Sequence, residues 1–120
     1  MTNFFNHKRV SPTLGLIVLQ TDEVIETELR RVVDPEIKLL HSRIPNQSNV
    51  SHETLAKMEI ELPVAAKLLP PEANFDVIGY ACTSGAMVIG SKAIDLIIRK
   101  IHPKTQVTNP ILAVEKALKQ

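Results

Sequence analysis

The sequence has few of the residues that metal sites, disulfides and base-stacking surfaces require. It contains one cysteine, four histidines, no tryptophan and only 3% aromatic residues among 120 positions. One cysteine excludes an intramolecular disulfide, and one Cys with four scattered His argues against a structural zinc site, which usually needs four ligands at tight spacing. The scarcity of aromatic residues argues against a surface that stacks nucleic-acid bases.

The chain also lacks an excess of either charge and any long apolar run. Fourteen basic residues face thirteen acidic ones, without a basic stripe, so we expect no nucleic-acid partner. The apolar runs are too short to span a membrane, and residues 1–9 have no apolar signal-peptide core. We therefore expect a cytoplasmic protein with a reduced thiol and no membrane partner. A hydrophobic content of 44% is enough for one compact domain.

Short apolar segments alternate with helix-like segments along the chain. We predict strands at 14–19, 36–44, 75–81 and 105–108, and helices at 22–33, 51–69, 86–101 and 110–120. This order, β-α-β-α-β-α-β-α, predicts a single α/β lobe with a short parallel four-stranded sheet flanked by helices on both faces. The lobe would occupy residues 14–120 and follow an irregular N-terminal arm at 1–13. Pro63 should kink or divide the second helix because proline donates no hydrogen bond.

Cys82 lies where the third predicted strand meets the next helix, in the sequence FDVIGYACTSG at 75–85. A helix N-terminus favours a thiolate, which could attack an electrophilic carbon or accept a proton from an acidic C–H. A free cysteine is also often a small buried apolar residue, and composition alone slightly favours that role. Its position beside polar residues at the end of a strand makes Cys82 our candidate catalytic residue.

Small polar residues near the predicted carboxyl ends of the strands are candidate substrate ligands. The hydroxyls and backbone N–H groups of Thr83, Ser84 and Gly85 could hold a carboxylate, and glycine would let the backbone approach it closely. They also suit a helix cap and a tight turn, and the two roles are compatible. Thr21 and Asn109 follow the first and fourth strands and would meet the same crevice, although a helix N-cap is the simpler role for both.

Nucleotide-binding loops are missing from the sequence. There is no Walker-type loop and no G-x-G-x-x-G after the first strand, which argues against a standard nucleotide cofactor site. The G-x-S-x-G turn of serine hydrolases is also absent. We therefore expect no standard nucleotide cofactor, and the scarcity of Cys and His argues against a metal ion.

Three segments, GLIVLQTDEVIETELRR, YACTSGAMVIG and VTNPILAVEKAL, resemble the aspartate/glutamate racemase superfamily. The nearest branch is the N-terminal lobe of maleate cis-trans isomerases and arylmalonate decarboxylases, and the resemblance spans residue 14 to the C-terminus. It implies a cofactor-free enzyme that holds a small carboxylic acid between two similar lobes, each with one cysteine. Cys82 matches the first-lobe cysteine, which is a nucleophile in the isomerases and an acid/base thiol in the racemases. Thr83 and Ser84 match residues that bind the substrate carboxylate.

The sequence departs from this pattern in two places. The turn after the first strand reads Gln20-Thr21-Asp22-Glu23, whereas the isomerases have small polar residues and an asparagine there, so the identity of the acid stays open. The second lobe, with its partner cysteine, falls outside these 120 residues. The expected partners are therefore a small carboxylate substrate and either a second copy of the chain or a separate second lobe.

Three hypotheses follow from the sequence. The chain is a half-length, cofactor-independent isomerase or racemase that uses Cys82 together with a second lobe or a self-dimer. Alternatively, it is a truncated, non-catalytic remnant that binds a small carboxylate. Thirdly, it is a binding or regulatory module whose lobe serves as an interaction surface.

Overall fold

Four parallel strands form the centre of the molecule in a computed structural model that describes residues 11–46, 49 and 51–119. Their order across the sheet is β2-β1-β3-β4, and every neighbouring pair is parallel. The predicted α/β fold with a four-stranded parallel sheet is confirmed. The strands are β1 (Thr13–Leu19), β2 (Lys38–Ile44), β3 (Val77–Tyr80) and β4 (Gln106–Thr108).

The central and edge strands differ in burial as their sequences predict. β1 and β3 are almost continuously apolar and lie in the middle of the sheet, where most of their residues are buried. β2 and β4 contain exposed polar residues and form the two edges. Most of the N-terminal arm predicted at 1–13 lies outside the described residues, as do Gln47, Ser48 and Val50 of the predicted loop at 45–50. The division into an arm and a lobe at 14–120 stays a prediction.

Five α-helices connect and flank the strands within the described ranges. The chain moves from β1 to β2 in one direction across the sheet and from β2 to β3 and β4 in the other. Right-handed crossovers therefore place the β1–β2 helix on one face and the helices between β2 and β4 on the other, as predicted. None of the helices described is long and apolar enough to cross a membrane. The helices are α1 (Ile25–Val32), α2 (His52–Leu68), α3 (Thr83–Ile89), α4 (Ser91–Ile101) and α5 (Pro110–Leu118), with a short 3-10 turn at Pro71–Ala73.

The hydrophobic core lies between the sheet and helices α2, α3 and α4. Ile17 of β1 and Ile78 of β3 are fully buried against Leu62 of α2 and Ile94 of α4. By contrast, neither α1 nor α5 contains a buried residue. The two faces of the sheet are therefore covered unequally, with the larger apolar layer on the α2–α4 face.

The single helix predicted at 86–101 is in fact two helices. Helix α3 begins at Thr83, three residues earlier than predicted, and ends at Gly90, where φ is 92°. Few residues other than glycine adopt this conformation, and a Cβ added there would meet nothing within 4 Å. The break therefore comes from the backbone conformation of Gly90, and α4 starts at the next residue.

Helix α2 is continuous through Pro63, so this proline does not divide the helix, and the kink that was the alternative expectation stays a prediction. Proline removes only the hydrogen bond to the carbonyl of Glu59, which is an exposed residue. The start of the helix is well fixed. The Ser51 hydroxyl accepts a hydrogen bond from the Thr54 N–H at 3.1 Å, and the Thr54 hydroxyl accepts one from the Ser51 N–H at 2.9 Å.

Candidate active site

The topology places one crevice at the carboxyl ends of β1 and β3. The connection after β1 leads to β2 on one side, whereas the connection after β3 leads to β4 on the other. Ligands of open parallel sheets bind at such a reversal of strand order. The Ala81 N–H donates to the Ile17 carbonyl at 2.8 Å and extends the pairing of β3 with β1 to the residue before Cys82. Cys82 therefore lies at this crevice.

The Cys82 side chain caps helix α3. Its Sγ accepts a hydrogen bond from the Gly85 N–H at 3.2 Å, and its carbonyl accepts one from the Ala86 N–H at 2.9 Å. The first turn of a helix has N–H groups without intrahelical acceptors. Those of Thr83 and Ser84 have no partner in the part of the chain that the structure describes. Two donors therefore remain available beside a thiol that is 9% exposed.

Gly85 and Tyr80 pack together beneath the thiol. A Cβ built on Gly85 would lie 2.5 Å from the Tyr80 Oη and 3.1 Å from the Cys82 Sγ. A glycine is therefore required because a side chain would push either the phenol or the thiol away. Tyr80 is 1% exposed, and its hydroxyl donates to the Met58 Sδ at 3.8 Å. Burial, with a smaller effect of the neighbouring Cys82, raises the pKa of Tyr80, so the phenol is neutral at physiological pH.

Cys82 and Ser84 line a small cavity of about 110 Å³. Its apolar wall consists of Leu19 at the end of β1 and of Leu55 and Met58 on α2. Thr83, next to Cys82, is exposed, whereas Gly85 is buried below the first turn of α3. The structure thus places Cys82 and the predicted ligands Thr83, Ser84 and Gly85 in one turn. The remaining lining residues, which the sequence did not single out, are Asn46, Asn49 and Thr54.

Thr21 meets this cavity only through Asn46. The Asn46 Oδ1 accepts hydrogen bonds from the Thr21 N–H and hydroxyl, both at 3.3 Å. The Asn46 Nδ2 lies 3.1 Å from the same hydroxyl. These residues are 25 positions apart, and the parallel pairing of Leu19 with Ile44 brings them together. The sequence showed Asn46 as a polar residue shortly after β2. Its place beside Thr21 follows only from the strand order.

Asn109 performs the capping role that was its simpler interpretation. Its Oδ1 accepts hydrogen bonds from the N–H groups of Ile111 and Leu112 at 3.0 and 3.1 Å, and its Nδ2 donates to the Ser91 hydroxyl at 3.1 Å. Asn109 is 4% exposed and lies on a different, apolar groove. Its role as a substrate ligand stays a prediction, as does that of Thr21.

The charged residues near the turn after β1 are engaged with one another and with the backbone. The Asp22 Oδ1 accepts from the N–H groups of Ile25 and Val24, both at 2.9 Å, and these bonds, aided by Arg43, lower the pKa of Asp22. The Arg43 guanidinium donates to the carbonyls of Leu19 and Asp22 at 2.9 and 2.8 Å. It also pairs with Glu26. None of these charged groups lines the Cys82 cavity, so only neutral donors face a ligand there.

Metal ligands are not grouped in the described residues. Among positions 11–46, 49 and 51–119, no three His, Cys, Asp or Glu side chains are placed to hold one ion.

The chain is similar to maleate isomerases in both sequence and fold. No family model matches it. It is 34% identical over 83 residues to a maleate isomerase of Pseudomonas putida KT2440, which corresponds to 64% of this chain and 33% of that protein. The maleate isomerase Iso of Pseudomonas putida S16 superposes with a TM-score of 0.69 at 23% identity, over 91% of this chain and 49% of the isomerase.

A second solved structure agrees with the first. The Nocardia farcinica maleate cis-trans isomerase with a covalently bound succinylcysteine intermediate has a TM-score of 0.74 and 24% identity, over 90% of this chain and 48% of the isomerase. The chain therefore spans about half of the length of the solved isomerases that it matches. The resemblance to the maleate isomerases that the sequence indicated is confirmed by these similarities.

Proposed function

We propose that this chain, which is similar to maleate isomerases, is one lobe of a cofactor-independent isomerase that acts on a small unsaturated dicarboxylate, with Cys82 as the nucleophile. One observation carries the proposal: the Cys82 thiol lies on a cavity at the reversal of strand order, beside two unpaired N–H groups of α3. The 34% identity to a maleate isomerase supports the choice of substrate class. A succinylcysteine intermediate in an isomerase of the same fold supports the choice of a thiol nucleophile.

The proposed reaction begins when the Cys82 thiolate adds to one alkene carbon. A C–S bond forms, and the π electron pair moves to the neighbouring carbon and into its carboxylate. The former double bond is then a single bond and can rotate. When the electron pair returns, the C–S bond breaks, the thiolate leaves and the trans acid is released. No proton or electron is gained or lost overall.

The N-terminus of α3 would hold one carboxylate of the substrate during these steps. The Thr83 and Ser84 N–H groups and the Ser84 hydroxyl are preorganised donors where negative charge increases as sulfur adds. Gly85 keeps the thiol and Tyr80 in place without adding a side chain. The apolar wall of Leu19 and Met58 limits the access of water to the reacting carbon.

We further propose that a second lobe completes the site, and that a second copy of this chain can supply it. The solved isomerases are about twice as long as this chain, which suggests that one lobe supplies only part of the site. Large apolar side chains are exposed on α3 and α5, including Met87 at 70% and Leu118 at 81%, and such surfaces favour association. A symmetric pair would place two Cys82 thiols across one cleft. A cytoplasmic location, where thiols stay reduced, accompanies this proposal.

Intact-protein mass spectrometry after incubation with maleate tests the chemistry. Because Cys82 is the only cysteine, a single adduct of one dicarboxylic acid would identify its site directly. We expect the adduct on folded protein, together with conversion of maleate to fumarate, and neither in Cys82→Ser. A urea-denatured sample measures the background alkylation.

Two outcomes would separate the hypotheses. Equal turnover by wild type and Cys82→Ser would sink the proposed role of the thiol. Stabilisation by dicarboxylates without any adduct or turnover would instead indicate a small-carboxylate-binding module.

A further inference from the structure

We infer that Asn46 binds the second carboxylate of the substrate and that Thr21 is a positioning residue that orients it. This inference rests on the proposed function. It concerns the wall of the cavity opposite the N-terminus of α3, to which the sequence assigned no role. Thr21 then acts on the substrate only by orienting Asn46, whereas the sequence indicated that Thr21 binds the substrate itself.

The hydrogen bonds to Thr21 determine which end of the Asn46 amide is free. A backbone N–H can only donate, so the 3.3 Å contact with the Thr21 N–H requires the oxygen end of the amide at that position. The Thr21 hydroxyl can engage at most one of the two hydrogens on Nδ2. Among the contacts of residues 11–46, 49 and 51–119, at least one Asn46 N–H is therefore left to donate, on a residue that lines the cavity.

The strand order places this donor across the cavity from the N-terminus of α3. Asn46 follows β2, Ser84 lies in the turn after β3, and β1 runs between those two strands. Neighbouring strands are about 4.8 Å apart, so the backbones that carry Asn46 and Ser84 are roughly 10 Å apart and lie on either side of the end of β1. A ligand above Leu19 would meet donors at both of its ends, which suits two carboxylates rather than one.

The other polar groups on this wall are less suited to the role. The Thr54 hydroxyl is occupied by the capping interaction with Ser51 and by the Asn49 carbonyl. Arg43 is held by backbone carbonyls and by Glu26. Asn49 also lines this wall, but of the two amides only that of Asn46 is held by hydrogen bonds with a described residue. Asn46 is therefore the better placed donor, and it selects dicarboxylates over monocarboxylates without a cation in the cavity.

Binding measured in a Cys82→Ser background tests the inference without covalent chemistry. Isothermal titration would compare maleate with the monocarboxylate crotonate. Asn46→Asp replaces the donor with an acceptor of similar shape, and we expect about a tenfold to hundredfold loss of maleate affinity with little change for crotonate. Gln20→Glu adds the same charge at an exposed neighbouring position and serves as the matched control. Thr21→Val should give a smaller loss that is also selective for maleate.

Asn46→Leu removes the donor without adding charge and keeps the test decisive if the Asp variant does not fold. Unchanged maleate affinity in folded Asn46 variants, or equal losses for maleate and crotonate, would overturn the role of Asn46 and leave the role of Cys82 intact. If neither acid binds to the Cys82→Ser protein with Asn46 in place, this inference and the proposed substrate class both fail.

Discussion

Two cavities lie at opposite ends of the strands, and the smaller one is the better candidate site. The larger, of about 240 Å³, lies at the amino ends of β3 and β4, where the ring of Phe75 meets His102 edge-on. Three of its polar side chains, those of Asn74, His102 and Thr105, have internal partners. The His102 Nε2 donates to the Ala66 carbonyl at 2.7 Å, and the Thr105 hydroxyl and the Asn74 amide also donate to carbonyls.

The cavity at Cys82 differs in what its polar groups are free to do. At about 110 Å³ it has less than half of that volume, yet it borders Ser84, whose N–H has no partner among the described residues, and the Asn46 amide. In this protein, free hydrogen-bond donors identify the candidate site better than cavity volume does, because a polar ligand binds where its oxygens find donors.

The largest expected effect comes from removing the thiol. Cys82→Ser should lower maleate isomerisation by about a thousandfold or more, since the nucleophile is lost. Thr105→Val, which removes a polar contact in the other cavity, should leave the rate close to wild type. Initial rates of fumarate formation measure both. A comparable loss of rate in Thr105→Val would contradict the assignment of function to the carboxyl ends of the strands.

A pair of glycine substitutions in α3 separates stability from reactivity. Gly85→Ala should destabilise the fold by about 1–3 kcal/mol, because its Cβ would overlap the Tyr80 hydroxyl and disturb the neighbouring thiol. Gly90→Ala should cost about 1–2 kcal/mol through backbone strain alone. Urea denaturation reports both costs, and the rate of adduct formation should fall only for Gly85→Ala. Equal rates in the two variants would show that the packing at Gly85 does not position Cys82.

His102 tests whether the larger cavity is structural. His102→Phe removes the buried donor to the Ala66 carbonyl, so we expect a loss of about 1–3 kcal/mol in unfolding free energy. The isomerisation rate of the folded variant should match that of wild type, because the candidate site lies at the opposite, carboxyl ends of the strands. His102→Gln, which can restore a donor, should recover part of the stability. A selective loss of activity in either variant would contradict the structural role.

Tyr80 should give the smallest effect, as a dependence of stability on alkaline pH. Its folded pKa is raised above the ordinary value of 10.0, chiefly by burial and then by Cys82. The resulting stabilisation is complete below pH 10 and declines above it, because the unfolded chain ionises its tyrosine first. As the only tyrosine, it can be followed by its phenolate absorbance. The absorbance should appear at lower pH in Cys82→Ser, and a midpoint at pH 10 in the folded wild type would contradict the packing described.

The sequence was sufficient for the sheet and for the corner at Cys82. Apolar runs such as IVL in β1 can be buried only in a central strand, and a cysteine between such a strand and a helix has one possible location in a parallel sheet. The break at Gly90 was not predicted because isoleucines continue the helical spacing on both sides of it. A backbone angle leaves no trace in that pattern.

Asn46 was missed for a different reason. Its importance depends on Thr21, which becomes its neighbour only through the parallel register of β1 with β2. A pattern read along the chain does not contain that pairing. The contacts of Arg43 with the carbonyls of Leu19 and Asp22 depend on the same pairing of β1 with β2.

The cap of helix α3 has a practical consequence. The sulfur of Cys82 holds the Gly85 N–H, and the thiol is almost entirely covered, so a bulky reagent reaches it only when the two-turn helix opens. The labelling rate of this single cysteine therefore measures how often α3 unfolds locally. A ligand that contacts both Asn46 and the N-terminus of α3 should lower this labelling rate before any product is formed.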